Sequence, residues 1–243
     1  SMVMAKMSGL PLFILGPDFM PMSTTTLRVF EPRYKQMMDD CILNELPFGY
    51  ISIDPMKEDL GGWSQPSKYG VIANIEQYEE SGSNLIISVS SGNRFLVSEV
   101  IQPVLENNIV GEHFPTVDEL MLRAEQRGWE GKLYISCEAE ELLPIIHNHD
   151  SEDFGSFIDF LLPISNLIIV SCMYRGQTLE FLDSGVDYSP VEEEVFLWKV
   201  ATGLSHSVIV QQQMLASNTT TELMQVSLEA ATDLLSIISS EEQ

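Results

Sequence analysis

Residues 10–41 read LPLFILGPDFMPMSTTTLRVFEPRYKQMMDDC, and the change of period inside this stretch decides the fold. An apolar run at 10–15 ends at Gly16-Pro17, a dipeptide that marks turns. A second extended candidate, 24–30, follows Pro21. From there Tyr34, Met37, Met38, Cys41 and Ile42 recur at helical spacing, forming one apolar face. Pro32 suits the first helical turn, where its missing N–H is not needed, and Glu31 places negative charge at the positive end of the dipole. The stretch predicts strand, turn, strand and amphipathic helix.

Working outward, Pro47 ends the helix and 48–53 predicts a buried strand. Residues 54–68 are a polar loop punctuated by Gly and Pro, long for a compact domain, with Trp63 in its middle. A meander follows. Runs 71–77, 85–90 and 94–100 are rich in strand formers, and 79–84 and 91–93 carry hairpin chemistry. Residues 107–114 predict one further strand. These elements imply an α+β fold, a twisted antiparallel sheet curling into a pseudo-barrel with one helix packed on it.

The same residues carry a resemblance. Leu10-Pro11-Leu12-Phe13, the segment Phe30-Glu31-Pro32-Arg33-Tyr34 within LRVFEPRY, and Gly92-Asn93-Arg94-Phe95 resemble the amino-terminal substrate-binding domain of Lon proteases. That PUA-like family shows an LPLFPL opening, an FPG turn, an LRIFEPRY-like segment entering a helix and a GxRF hairpin. Here Ile14 stands in place of a proline, and Met20-Pro21-Met22 in place of FPG. Residues 212–235 are similar to the helix pair that closes stand-alone Lon-domain proteins. The resemblance covers residues 8–114 and 190–238. It implies that the signature residues are structural and that the chain captures polypeptides.

At Thr116 the character shifts. Thr116-x-x-Glu119 is a capping box for a helix that Gly128 stops. Residues 132–137 alternate like a strand, 138–146 read as helical, 147–155 as a loop, and 161–174 as a buried helix or strand, because a continuous apolar run does not decide by period. Ser189-Pro190 with Glu192 caps a helix whose face is Leu197, Val200, Ala201 and Leu204, and Thr219-x-x-Glu222 caps the last one. The expected organisation is a β-rich subdomain at 8–115 and a mainly helical bundle at 116–240.

Composition narrows the function. Twelve Lys and Arg against 36 Asp and Glu leave a net charge of −24, and residues 129–243 hold 3 basic and 19 acidic groups. A polyanion would meet a repulsive field, so nucleic acid is not the expected partner. Cys41, Cys137 and Cys172 make neither a disulfide framework nor a CxxC pair, which points to a reducing cytoplasm. The run at 10–15 is too short and broken for a secretory signal. The most membrane-like stretch, 157–174, contains Asp159, Pro163 and Asn166 and is expected in the core.

No GxxxxGK[ST] loop exists to cradle a nucleotide phosphate, and no lysine sits in a Ser–Lys peptidase setting. His147-Asn148-His149-Asp150 is the one ligand-rich cluster, but its spacing matches no helix-based metal motif, so it reads as a solvated loop. His113, beside Phe114, reads as structural. Glu138, Glu140, Glu141 and Glu192 to Glu194 read as helix-start charges. Met37 and Met38 fall on the core face of their helix. Met20 and Met22, on a turn, remain as candidate contacts for apolar partners, and Trp63 is either such a contact or a ring that folds back to cover the core edge.

The expectation is a non-catalytic module that binds apolar segments of unfolded or partly folded polypeptides, working with a protease or chaperone. It needs no cofactor, metal or membrane and is a monomer or weak homo-oligomer. The alternatives are a PUA-like RNA-binding protein, opposed by the charge, and a dedicated adaptor for one protein. A hydrolase built on His147 or His149 is the remaining reading.

Overall fold

The computed structural model describes residues 3–15, 19–107 and 115–242. They form two compact units, one from residues 3–15 and 24–142, the other from 19–23 and 143–242.

The first unit is built on six strands: β1 (Val3–Leu15), β2 (Thr24–Val29), β3 (Phe48–Ile53), β4 (Pro66–Ser81), β5 (Asn84–Ile101) and β6 (Ser136–Leu142). Their order is β2-β5-β4-β3-β1-β6, and β6 also pairs with β5, so five strands close on themselves while β2 extends one flank. The sheet is mixed, not purely antiparallel: β1 runs parallel to β3, with Leu12 opposite Gly49 and Ile14 opposite Ile51. The reason is the helix α1 (Pro32–Asn44), which carries the chain back to the same end of the sheet, as a parallel crossover requires.

Local chemistry explains most of these elements. Alternation along β3 to β5 and β6 puts Ile51, Ile72, Phe95, Cys137 and Ala139 in one core with Leu10, Leu12 and Ile14. Gly82, at φ +62°, makes the two-residue turn between β4 and β5, where Ser81 faces Asn84. The helix α1 buries Tyr34, Met37, Met38 and Cys41, the face its spacing predicts. The second helix, α2 (Val117–Gln126), opens on the full Thr116/Glu119 capping box and lays Leu120 and Ala124 against Leu105 and Leu133.

Three expectations are corrected. Ser91-Gly92-Asn93 is not a hairpin but a bulge within β5, where the register slips between Val71↔Arg94 and Ala73↔Ser91. A side chain at Gly92 would crowd Ile72 and Asn74, so its glycine serves close approach rather than a turn. Residues 138–142 are strand, not helix: β1 and β5 both offer ladder partners, and this pairing overrides helix propensity. That strand carries the first unit through Leu142. Residues 151–155, expected as loop, open a helix whose first turn the Asp150 side chain caps. The predicted strand at 107–114, with His113, lies outside the described residues apart from Asn107.

The second unit is helical: α3 (Ser151–Leu161), a 3-10 turn at Leu162–Ile164, α4 (Ser165–Tyr174), α5 (Pro190–Leu204), α6 (Val208–Leu215) and α7 (Thr220–Glu241). Asp150, Ser189, Ser207 and Thr219 each cap a first turn through their side chains. The helix α5 is buried nearly all round, with Phe196 and Trp198 joining Leu197, Val200, Ala201 and Leu204. Among the described residues, one stretch, Ser151–Tyr174, is apolar enough to cross a membrane by length and composition alone. Only its inner face, Phe154, Phe157, Ile158, Leu161, Ile168 and Cys172, is core; Phe160, Leu162, Leu167, Val170 and Met173 are exposed. The expectation of a buried segment therefore holds for one face.

Candidate functional site

In the first unit the signature residues converge on Arg33. Its Nε donates to Glu31 Oε2 at 3.0 Å, and its guanidinium lies 4.2 Å from the Tyr34 ring centroid and 4.3 Å from that of Trp63. Trp63 Nε1 in turn donates to the Leu105 carbonyl at 3.0 Å. The Tyr34 hydroxyl sits 3.3 Å from the carbonyl oxygen of Ile14, which draws α1 onto β1. Burial is the main influence on that phenol and raises its pKa. Leu10, Leu12, Phe13, Pro32, Arg94 and Phe95 are buried, Pro11 and Gly92 partly so, and Phe30 is half exposed.

Arg33→Lys keeps the charge but loses the planar stack on two rings. It should cost about 1–2 kcal/mol on the scale of two partly buried cation–π contacts. Urea unfolding followed by tryptophan fluorescence measures this, and an unchanged midpoint would show that the stack contributes nothing.

Of the three candidate contacts, Trp63 and Met20 are inside. The loop that carries Trp63 folds back over the core edge, fastened by backbone bonds between Leu60 and Trp63 and from Asn107 to Gly61. Met22 alone of the three is exposed. It takes φ +60°, a left-handed conformation that favours glycine, at the place where the resembling turn carries Gly.

Open apolar surface lies elsewhere, at the C-terminal end of α1. Two clefts flank Leu46-Pro47. One, of about 320 Å³, is walled by Ile42, Glu45, Ile75 and Tyr78. The other, of about 220 Å³, runs between residues 7–11 of β1 and Asp40, Asn44, Lys132 and Tyr134. Leu43 (81% exposed), Leu46 and Tyr78 (57% each) stand out into solvent. Polar contacts tie the second cleft's wall to α1: the Tyr134 hydroxyl donates to Asp40 Oδ2 at 2.6 Å, Lys132 Nζ lies 3.1 Å from the same oxygen, and the neighbouring Leu133 N–H donates to Gln36 Oε1 at 2.7 Å. Sequence reasoning missed this site because Leu43 and Leu46 look like the frayed end of a core helix.

The second unit brings together what the sequence kept apart. His147 and His149 both direct Nε2 at Glu193 Oε2 on the first turn of α5, the former at 2.8 Å. Glu193 had only the reading of a helix-start charge. Nucleophilic thiols are not on offer: burial pushes Cys41 and Cys137 up to about 12 and Cys172 to about 11, so all three stay protonated near neutral pH.

No family model matches the sequence, and no curated protein matches it. Solved structures do. A Lon N-terminal domain protein from Xanthomonas campestris is similar at a TM-score of 0.57 and 19% identity, over 90% of this chain and 97% of that one. The N-terminal domain of a Mycobacterium avium complex Lon protease is similar at 0.50 and 12% identity, over 93% and 99%. The chain has the fold of Lon N-terminal domains.

Proposed function

We propose that this chain, folded as a Lon N-terminal domain, is a non-catalytic module that captures exposed apolar segments of other polypeptides. The observation that supports it is the pair of open clefts about Leu46-Pro47, with Leu43, Leu46 and Tyr78 presented to solvent. Shallow apolar capture of this kind gives weak affinity and broad choice, since few side chains are anchored in deep pockets. The net charge of −24 keeps such a complex soluble and opposes the RNA-binding reading. The thiols suit a reducing cytoplasm, and a separate protease or chaperone would receive the captured chain.

Binding of the purified chain to a cellulose peptide array tests this. Apolar peptides should bind, and Leu43→Asp with Leu46→Asp should weaken them by about tenfold or more, as loss of central apolar contacts does. Both side chains are exposed, so the folded state should survive with a change within about 0.5 kcal/mol. An array that stays blank with the unaltered chain would refute the proposal.

A second reading, an adaptor for one dedicated partner, is favoured by the exposed row Phe160, Leu162, Leu167, Val170, Met173 and Tyr174 on the helical unit. One stoichiometric partner in a lysate pull-down, lost on Val170→Asp, would support it instead.

A further inference from the structure

We propose that His147, His149 and Glu193 form a divalent-metal site of the zinc type. This stands on the second unit alone and is independent of polypeptide capture. The three ligand atoms, one from each residue, all lie within 4.8 Å of one another. Ligands held about 2.0–2.2 Å from a shared tetrahedral ion sit roughly 3.4 Å apart, so small side-chain rotations complete the set.

The mounting is that of a positioned ligand group rather than a loose loop. His149 is buried and stacks on Phe154, ring centroids 5.0 Å apart. Its Nδ1 is 2.7 Å from Thr220 Oγ1, the outer contact that fixes ring orientation in metal-bound histidines. Thr220 Oγ1 also accepts from Asn148 N–H at 3.0 Å and reaches Asn148 Oδ1 at 3.2 Å. With the hydroxyl proton given to Asn148, Thr220 accepts Nδ1–H and leaves the Nε2 lone pair of His149 for the ion. Asn148 Oδ1 further accepts from Thr221 N–H at 3.1 Å. The Ile146 and Thr220 backbones bond across at 2.9 Å, so the His-x-His segment is tied to the start of α7. Glu193 is placed by α5, whose first turn the Ser189/Glu192 box closes.

Two imidazoles and one carboxylate select zinc-like ions over magnesium or calcium, which prefer oxygen-only sets. His147 is partly open to solvent, leaving room for a water as fourth ligand. Residues 143–243 offer only Arg175 and Lys199 as permanent cations, so the field around the site attracts a divalent ion. An ion there would pin the 146–149 segment, α5 and α7 to one another.

The test is equilibrium dialysis of the full chain against Zn²⁺ after chelator treatment, with Co²⁺ absorption as reporter of coordination. One ion per chain with affinity on the order of micromolar or tighter is expected, together with a raised Tm. The ion should persist in excess Mg²⁺ or Ca²⁺. Glu193→Gln, which keeps the size and one acceptor, and His147→Gln, at a partly exposed position, should each weaken binding by at least about tenfold. Absence of stoichiometric Zn²⁺ in the folded, unaltered chain overturns the proposal. So does binding unchanged in both variants, which would place the ion elsewhere. His149→Ala should abolish binding; should that buried position fail to fold, the two glutamine variants carry the result.

Discussion

Phe95→Ala is expected to destabilise the first unit by about 3–5 kcal/mol, the range for removing a buried aromatic ring. The upper end applies here. Phe95 is fully buried, and its ring fills space that two glycines leave for it: a Cβ on Gly49 would come within 2.6 Å of the ring, and one on Gly70 within 2.5 Å. Neither glycine has a side chain to move into the vacated volume, so the cavity cannot collapse without moving β3 and β4. Urea unfolding at unchanged m-value measures the loss. A cost below about 1.5 kcal/mol would mean the barrel relaxes into the gap, against a close-packed interior.

Gly203→Val is expected to destabilise the second unit by about 3 kcal/mol or more, because overpacking a rigid contact displaces backbone. A Cβ at 203 would meet the Ile168 carbonyl oxygen at 2.8 Å and Cys172 Sγ at 2.9 Å, both on α4. Separating α4 from α5 also strains the bonds that join them. Cys172 Sγ donates to the Lys199 carbonyl at 3.0 Å, and Arg175 donates to the Thr202 and Ser205 carbonyls at 2.7 and 2.8 Å, closing the C-terminal end of α5. Trp198 reports on this unit, whereas Trp63 and Trp129 report on the first, so spectra of single-tryptophan variants assign each loss. A midpoint unchanged by Gly203→Val would show that α4 is free to shift outward.

The candidate sites divide by how far their parts lie apart in the chain. Ser189 and Thr219 announce their helices because a cap reaches only three residues onward, whereas Asp150, which caps in the same way, lies in a stretch that reads as loop. Glu193 announces nothing, since its partner His149 is 44 residues away, and Thr220, which orients that ring, is 71 residues from it. Whether Trp63 makes a surface contact or covers the core was open in the sequence because the carbonyl that takes its indole N–H belongs to Leu105, 42 residues on. Gly92 looked like a turn because glycine serves both left-handed backbone and close approach, and only the neighbouring strand tells which.

Local sequence was enough for the two signature strands and the helix after them, the core face of α1, the hairpin at Gly82, the helix starts at Thr116, Ser189 and Thr219, and the strongly acidic composition. All of these rest on interactions within a few residues or on composition. The tertiary structure alone decided that β1 and β3 run parallel, that Ser136–Leu142 closes the barrel as a strand, that Met20 and Trp63 are interior, and that two histidines meet a glutamate. Those outcomes depend on which distant segments supply ladder partners and packing surface, and long-range pairing of that kind leaves no period in the local sequence.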